Sequence, residues 1–378
     1  MAGMAETSPG PGATGGTGPG TGPESAARRV TIRDVAGRAG VSVATVSRVL
    51  AGNYPTSAAA RAKVLRAVKD LDYVIDGRAR ALAGTGPRTV AVIVMSVDSP
   101  FYANVAQGVE QEAAARGRLC LVCSHGGDEA RELALVQMMR EQRAEFVVLV
   151  GGAVEDERYR ARLTEYAHGL AAAGSRLVLC GRPAPGPDTP VLVVEYDNEA
   201  GAYAAVSHLL AFGHRDILYL GVMPGYSTVE PRIAGYRRAL ADHGLPPSAE
   251  RVQGYGLGRT HGYDAMRQIL ADCDGRPDFT AVFAGDDQAA AGAMAAMREY
   301  GLRTPEDVSV VGYNNDALAQ DLNPPLTTVN IPAYELGRET VRFALAEAAA
   351  SPGRAALQKR HVLGTHTVLR DSVARPRR

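Results

Sequence analysis

The sequence predicts two kinds of folding unit on one chain: an N-terminal all-α helix-turn-helix domain, then an α/β body of doubly wound parallel sheets in two lobes. Three observations predict it. Short, capped helical segments fill residues 28–75. From Thr89 onward, strand-length apolar runs alternate with helix-length segments, the pattern of parallel sheets covered by helices. Charge is divided unevenly: residues 28–88 carry twelve Lys/Arg against four Asp/Glu, a net of +8, so the rest of this neutral chain carries −8. At 378 residues the chain is long enough for two or three separate cores.

Residues 1–27 place eight Gly and four Pro within the first 23 positions and show no apolar period, which predicts a disordered tail. The helical unit follows at 28–75. Thr31 and Asp34 form a capping box, and Ile32, Val35, Ala36 and Ala39 supply one apolar face. Gly40 ends that helix, and Ser42 caps a second over 43–50. A third begins at Ser57 and runs through Val64, Leu65 and Val68 to Leu71.

In the second helix, Val46, Val49 and Leu50 face inward. That leaves Val43, Ala44, Ser47 and Arg48 outside. Small residues allow close approach to a duplex, hydroxyls reach phosphates, and an arginine fork matches guanine. With the +8 block, this face predicts double-stranded DNA as partner.

The body begins at Thr89. Strands are expected at 89–96, 118–124, 145–150, 176–180, 191–196, 216–221, 250–254, 279–284 and 307–312. Helices are expected at 103–116, 130–143, 198–212, 232–243, 261–271 and 287–300. So many units exceed one sheet, and two lobes with a ligand cleft between them accommodate the excess.

Several function classes are disfavoured. The longest apolar runs, Thr89–Met95 and Phe146–Val150, are too short to span a membrane, and no secretory signal is visible, so a cytoplasmic, nucleoid-associated protein is expected. Cys120 and Cys123 make a CxxC, but it lies in a run that reads as a buried strand and has no second ligand pair. The glycines of Gly254–Gly258 lack the spacing of a dinucleotide loop. Neither a metal-spaced histidine set nor a catalytic triad is recognisable, so no metal, no cofactor and no enzymatic activity is expected.

The string from Val30 to Leu50, VTIRDVAGRAGVSVATVSRVL, closely resembles the DNA-binding end of the lac-repressor (LacI/GalR) family. The likeness continues in Ser99–Tyr102, Asp197–Gly201, Gly213–Ile217, Arg232–Tyr236 and Asp307–Tyr313. It implies a body like periplasmic sugar-binding proteins, here residues 89–378, joined by a hinge at 76–88. It further implies a homodimer on a pseudo-palindromic operator, acting as a ligand-switched regulator, most simply a repressor.

The implied DNA contacts are Thr31, Ser42, Val43, Ala44, Thr45, Ser47, Arg48 and Asn53, with Arg78, Ala79 and the minor-groove wedge Leu82 from the hinge. In the cleft, Phe101 and Tyr102 suit stacking on a ring, Arg232 a bidentate grip, and Asp286 the acceptance of hydroxyls. The resemblance adds Tyr203 and Asn314.

The chain departs from the family pattern in places. Ile75-Asp76 stands for the usual Pro-Asn, and Gly77 beside it lowers helix propensity by about 0.5–1 kcal/mol. Gly285-Asp286-Asp287 stands for A-N-D, and Asn314 for an Asp. The expected effector is a sugar or sugar derivative; a nucleobase or nucleoside, or a protein co-regulator, is the alternative. A plain solute-binding module would lack the N-terminal unit.

Overall fold

The structure, a computed structural model, describes residues 30–51, 55–73, 88–351 and 358–377. The expected tail lies outside these residues, as does most of the expected hinge. Chain contacts separate two compact units, one up to Gly86 and one from Pro87 onward.

The first unit holds α1 (Ile32–Ala39), α2 (Val43–Ala51) and α3 (Ala58–Asp70). The Asp34 carboxylate accepts from the Thr31 N–H (2.8 Å) and hydroxyl (2.7 Å) at the start of α1. Gly40, left-handed at φ 65°, ends it. Val35, Ala36, Ala39, Val46, Val49, Val64 and Ala67 form the core. Leu65 is 49% exposed, and Ala67 takes the inward position instead.

The second unit has two six-stranded sheets. The first is ordered β11-β5-β4-β3-β1-β2, from β1 (Thr89–Val94), β2 (Leu119–Ser124), β3 (Phe146–Val150), β4 (Arg176–Cys180), β5 (Val191–Tyr196) and β11 (Lys359–Leu363). All its neighbours are parallel. The second is ordered β12-β10-β9-β8-β6-β7, from β6 (Ile217–Val222), β7 (Val252–Tyr255), β8 (Ala281–Ala284), β9 (Ser309–Asn314), β10 (Thr327–Asn330) and β12 (His366–Val368). Here β12 alone runs antiparallel. The central strands are apolar on both faces because helices cover both.

The first lobe carries α4 (Pro100–Ala115), α5 (Glu129–Glu141), α6 (Glu157–Ala172) and α12 (Ala333–Ala350). The second carries α7 (Asn198–Ala211), α8 (Val229–Asp242), α9 (Arg259–Asp272), α10 (Asp287–Glu299) and the short α11 (Leu318–Asp321). Helices cross closely at glycines. A β-carbon on Gly262 of α9 would lie 2.2 Å from the Ala289 carbonyl oxygen of α10, and one on Gly292 2.1 Å from that of Arg259.

The chain passes between lobes three times: at Asp197, at residues 331–332, and at residues 364–365. The crossings lie side by side. The Asp197 N–H donates to the Leu363 carbonyl (3.2 Å), the Thr365 hydroxyl to the Asp197 carbonyl (3.1 Å), and Asn330 pairs with His366.

Several expectations need correction. α6, α12, β10, β11 and β12 are additional to the expected elements. β2 is an edge strand, so Leu119 and Val122 are about half exposed rather than buried. Cys120 and Cys123 pack toward opposite faces of the sheet, against different cores, as residues three apart on a strand must. Burial pushes the Cys120 thiol up to about 11.

Candidate functional site

In the helical unit, α2 begins where the Ser42 hydroxyl accepts the Thr45 N–H (3.1 Å) and meets the Thr45 hydroxyl (2.9 Å). Those two side chains therefore serve the cap. Val46 is fully buried and Val49 nearly so, which turns Val43 (42% exposed), Ala44, Ser47 and Arg48 outward as one face. Thr31 is exposed with its hydroxyl held by Asp34. Asn53, Arg78, Ala79 and Leu82 lie outside the described residues.

The body's cleft follows from topology. Each lobe has the strand order 2-1-3-4-5 along its sheet, so the connections reverse direction beside its first strand, between β1 and β3 or between β6 and β8. Loops leaving those strand ends splay apart and open a crevice. The two crevices face each other as one cleft of about 580 Å³. The first lobe contributes Met95, Ser96, residues 98–102, Gly152 and Tyr196. The second contributes Met223, Tyr226, Thr228, Arg232, residues 255–258, His261, Asp286, Gln288 and Asn314.

Five of the six expected effector residues line this cleft: Phe101, Tyr102, Arg232, Asp286 and Asn314. Tyr203 is outside the lining. It sits on α7 against α8, with the Arg238 guanidinium 4.6 Å over its ring. The sequence reading missed Tyr226, Tyr255, His261 and Asp98. Tyr255 and His261 arrive through the glycine run, where Gly254, Gly256 and Gly258 take φ of 75°, 89° and 90°. A β-carbon on Gly256 would strike the His261 ring at 2.7 Å. The run folds a loop over the cleft instead of cradling a nucleotide.

Arg232 is buried and heavily bonded. Its Nε–H donates to Asn198 Oδ1 (2.8 Å) and its Nη1–H to the Gly285 carbonyl. Nη2 reaches the Tyr196 hydroxyl at 3.5 Å, and the Tyr313 ring lies 3.8 Å beneath. Asp286 caps α10 through the Ala289 N–H (2.6 Å) and accepts the Gly258 N–H (3.2 Å). Burial raises its pKa. Behind it, fully buried Asp287 accepts from the Thr328 hydroxyl (2.5 Å) and the Asp316 N–H (2.7 Å), and burial pushes it up to about 8. On the opposite wall, Phe101 meets Tyr102 edge-on at 5.3 Å and Tyr196 at 6.1 Å.

A backbone clasp joins the lobes beside the cleft. The Glu155 N–H donates to the Gly225 carbonyl (2.9 Å), the Ser227 N–H to that of Ala153 (2.9 Å), and the Ala153 N–H to Ser227 Oγ (3.1 Å). Gly152 lets the strands approach, since a β-carbon there would meet Tyr226 at 2.6 Å.

Residues 31–76 match the family of bacterial regulatory proteins, lacI family, and residues 206–373 match a periplasmic binding protein-like domain. The chain is 34% identical over 351 residues to the HTH-type transcriptional regulator CelR of Thermobifida fusca, covering 91% of this chain and 98% of that one. The chain belongs to the LacI family.

This LacI-family chain is also 33% identical over 316 residues to the regulator GalR of Escherichia coli (strain K12), over 84% of this chain and 88% of GalR. A CelR–cellobiose complex superimposes with a TM-score of 0.65 at 31% identity, over 91% of this chain and all of that one. The lac repressor dimer bound to operator and the anti-inducer ONPF gives 0.76 at 26%, over 92% and 100%. The protein is a ligand-responsive, DNA-binding transcriptional regulator rather than an enzyme. Among the described residues, no helix is long and apolar enough to cross a membrane.

Proposed function

We propose that the protein binds a pseudo-palindromic operator as a homodimer in the cytoplasm, on the nucleoid, and represses transcription under the control of a sugar held in its cleft. The observation that carries this reading is the pair of topological switch points facing each other across aromatic and hydroxyl-binding side chains. On the DNA side, the exposed face of α2 supports Val43, Ala44, Ser47 and Arg48 as the base-reading group, with Thr31, Ser42 and Thr45 near phosphates. Asn53 as a further contact, and Arg78, Ala79 and Leu82 as hinge contacts, are proposed on the resemblance alone.

In the cleft, Phe101, Tyr102 and Tyr255 would flank the sugar's C–H faces, with Asp286 and Asn314 on its hydroxyls. The relative solved with cellobiose favours a carbohydrate over a nucleobase. A ligand shifts operator affinity only through its preference for one lobe arrangement.

The test is fluorescence anisotropy of the full chain on an operator selected from random duplexes, in a salt series, with and without cellobiose, galactose and hypoxanthine. The reading predicts a sequence-specific complex with a steep log–log salt slope that one of the sugars alters. Salt-insensitive or sequence-indifferent binding would sink the operator assignment, and a response to hypoxanthine alone would sink the sugar.

A further inference from the structure

We propose that Arg182 is a positioning residue for the grip between the lobes. Anchored from behind by Glu132, it fixes the end of β3 and so holds the backbone clasp and the cleft floor in place, whichever ligand the cleft takes.

Arg182 lies outside the cleft lining. It follows β4 by two residues, is 3% exposed, and reaches across to the end of the neighbouring strand β3. Its Nε–H donates to the Gly151 carbonyl (2.7 Å) and its Nη2–H to the Val150 carbonyl (3.0 Å). Nε and Nη2 form one edge of the planar fork, so a single side chain takes two successive carbonyls at once. A lysine ammonium has no such edge.

Those carbonyls stand where the first lobe meets the second. At Gly151 the chain leaves β3 through a left-handed turn (φ 86°), and the residues that follow are the clasp itself, Ala153 and Glu155 against Gly225 and Ser227. The turn packs on Tyr102, since a β-carbon on Gly151 would lie 2.5 Å from that ring. The Tyr102 hydroxyl in turn hydrogen-bonds to that of Tyr226 from the second lobe, and the Arg182 charge faces both. One guanidinium therefore stands behind two contacts between the lobes, the clasp and the tyrosine pair.

The support on its other side is a loosely made charge cluster. Glu132 of α5 is 4% exposed. Around its carboxylate lie Arg182 Nη1 at 3.5 Å, Arg162 Nε at 3.8 Å and His125 Nε2 at 3.9 Å, and Oε1 accepts no hydrogen bond. Burying a carboxylate and a guanidinium is costly, and contacts of this length offset little of that cost. As a source of stability the pair is poor. As an aiming device it is effective: Glu132 takes the remaining corner of the fork, Nη1, and keeps the opposite edge turned toward the two carbonyls.

The experiment is hydrogen exchange of the full chain, read by mass spectrometry over peptides spanning residues 151–156 and 224–228, in wild type, Arg182→Lys and Glu132→Gln. Lysine keeps the charge but serves one carbonyl. Losing one charge-assisted hydrogen bond should open the clasp about tenfold more often or more, so both peptides exchange faster while β1 and β6 keep their wild-type protection. Glu132→Gln should act in the same direction and more weakly. The second peptide decides the matter, because it belongs to the lobe that Arg182 does not build. Wild-type exchange in both peptides of both variants would overturn the proposal. So would acceleration confined to residues 151–156, or shared equally by β1, either of which would make Arg182 only a prop of its own lobe. If Arg182→Lys does not fold, Glu132→Gln decides by the same outcomes.

Discussion

Gly262→Ala adds one methyl group at the closest helix crossing in the second lobe. The new β-carbon would lie 2.2 Å from the Ala289 carbonyl oxygen and 2.5 Å from its Cα, both backbone atoms of a residue with no exposure. An ordinary carbon–oxygen contact is about 3.3 Å, so α9 and α10 must part by roughly 1 Å. Overpacking of this kind costs about 1–3 kcal/mol, and no side chain can swing aside to relieve it. Alanine's better helix propensity returns about 0.5–1 kcal/mol, leaving a net loss of about 1 kcal/mol. That corresponds to a fall in Tm of about 2 °C, the low end of the usual scale because the unit is large.

Gly169→Ala, inside α6, is the matched control. There the nearest atom is the flexible Arg140 Nη1 at 3.4 Å, so the same change should stabilise by about 0.5–1 kcal/mol. Scanning calorimetry of the three full-length proteins reads the comparison. A Gly262→Ala protein melting at or above the wild-type temperature would refute the reasoning.

Other consequences can be measured as directly. Arg48→Ala should weaken the selected operator by about 1–3 kcal/mol, roughly 5- to 150-fold, with little change in Tm, as anisotropy and melting would register. Ser42→Ala removes the acceptor for the Thr45 N–H and should cost about 1 kcal/mol, visible as faster amide exchange through α2. The folded-state pKa of Asp287 is raised, so its burden on stability is absent below about pH 4 and grows as pH rises toward about 8. Urea midpoints should therefore decline across that window, and more shallowly in Asp287→Asn, whose amide can still serve Thr328 and Asp316. Gly152→Val should break the clasp between the lobes, and amides of Glu155 and Ser227 that remained as protected as in wild type would count against that role.

Much of the architecture was legible because period and charge were unambiguous. The capped helices around Val35 and Val46 and the β-branched central strands announce themselves. α6 stayed hidden because charged residues interrupt Tyr159, Leu163, Tyr166 and Leu170, although their spacing is helical. In α12 the inward positions include Gly337 and Thr340, which dilute the stripe. β11 and β12 carry Lys359, Arg360, His361 and His366 because they are edge strands.

For the cleft, motif likeness found residues at helix starts and at the end of β9. It missed Tyr226 and Tyr255, which stand beside glycines at positive φ, and counted Tyr203, which does not line the cleft. It also offered the Arg232 fork to a ligand; Arg232 does line the cleft, with N–H groups of Nε and Nη1 donating to Asn198 and Gly285, partners that a sequence does not show.

The three crossings between the lobes have a mechanical consequence. A single linker would let the lobes swing and twist alike, but three adjoining strands bonded edge to edge act as a leaf spring. Such a plate bends readily across its width and resists torsion, so a molecule seated in the cleft can drive essentially one motion. Replacing Thr365, whose hydroxyl ties its crossing to the Asp197 carbonyl, would soften the plate without touching the cleft, and would trade a directed swing for a looser wobble.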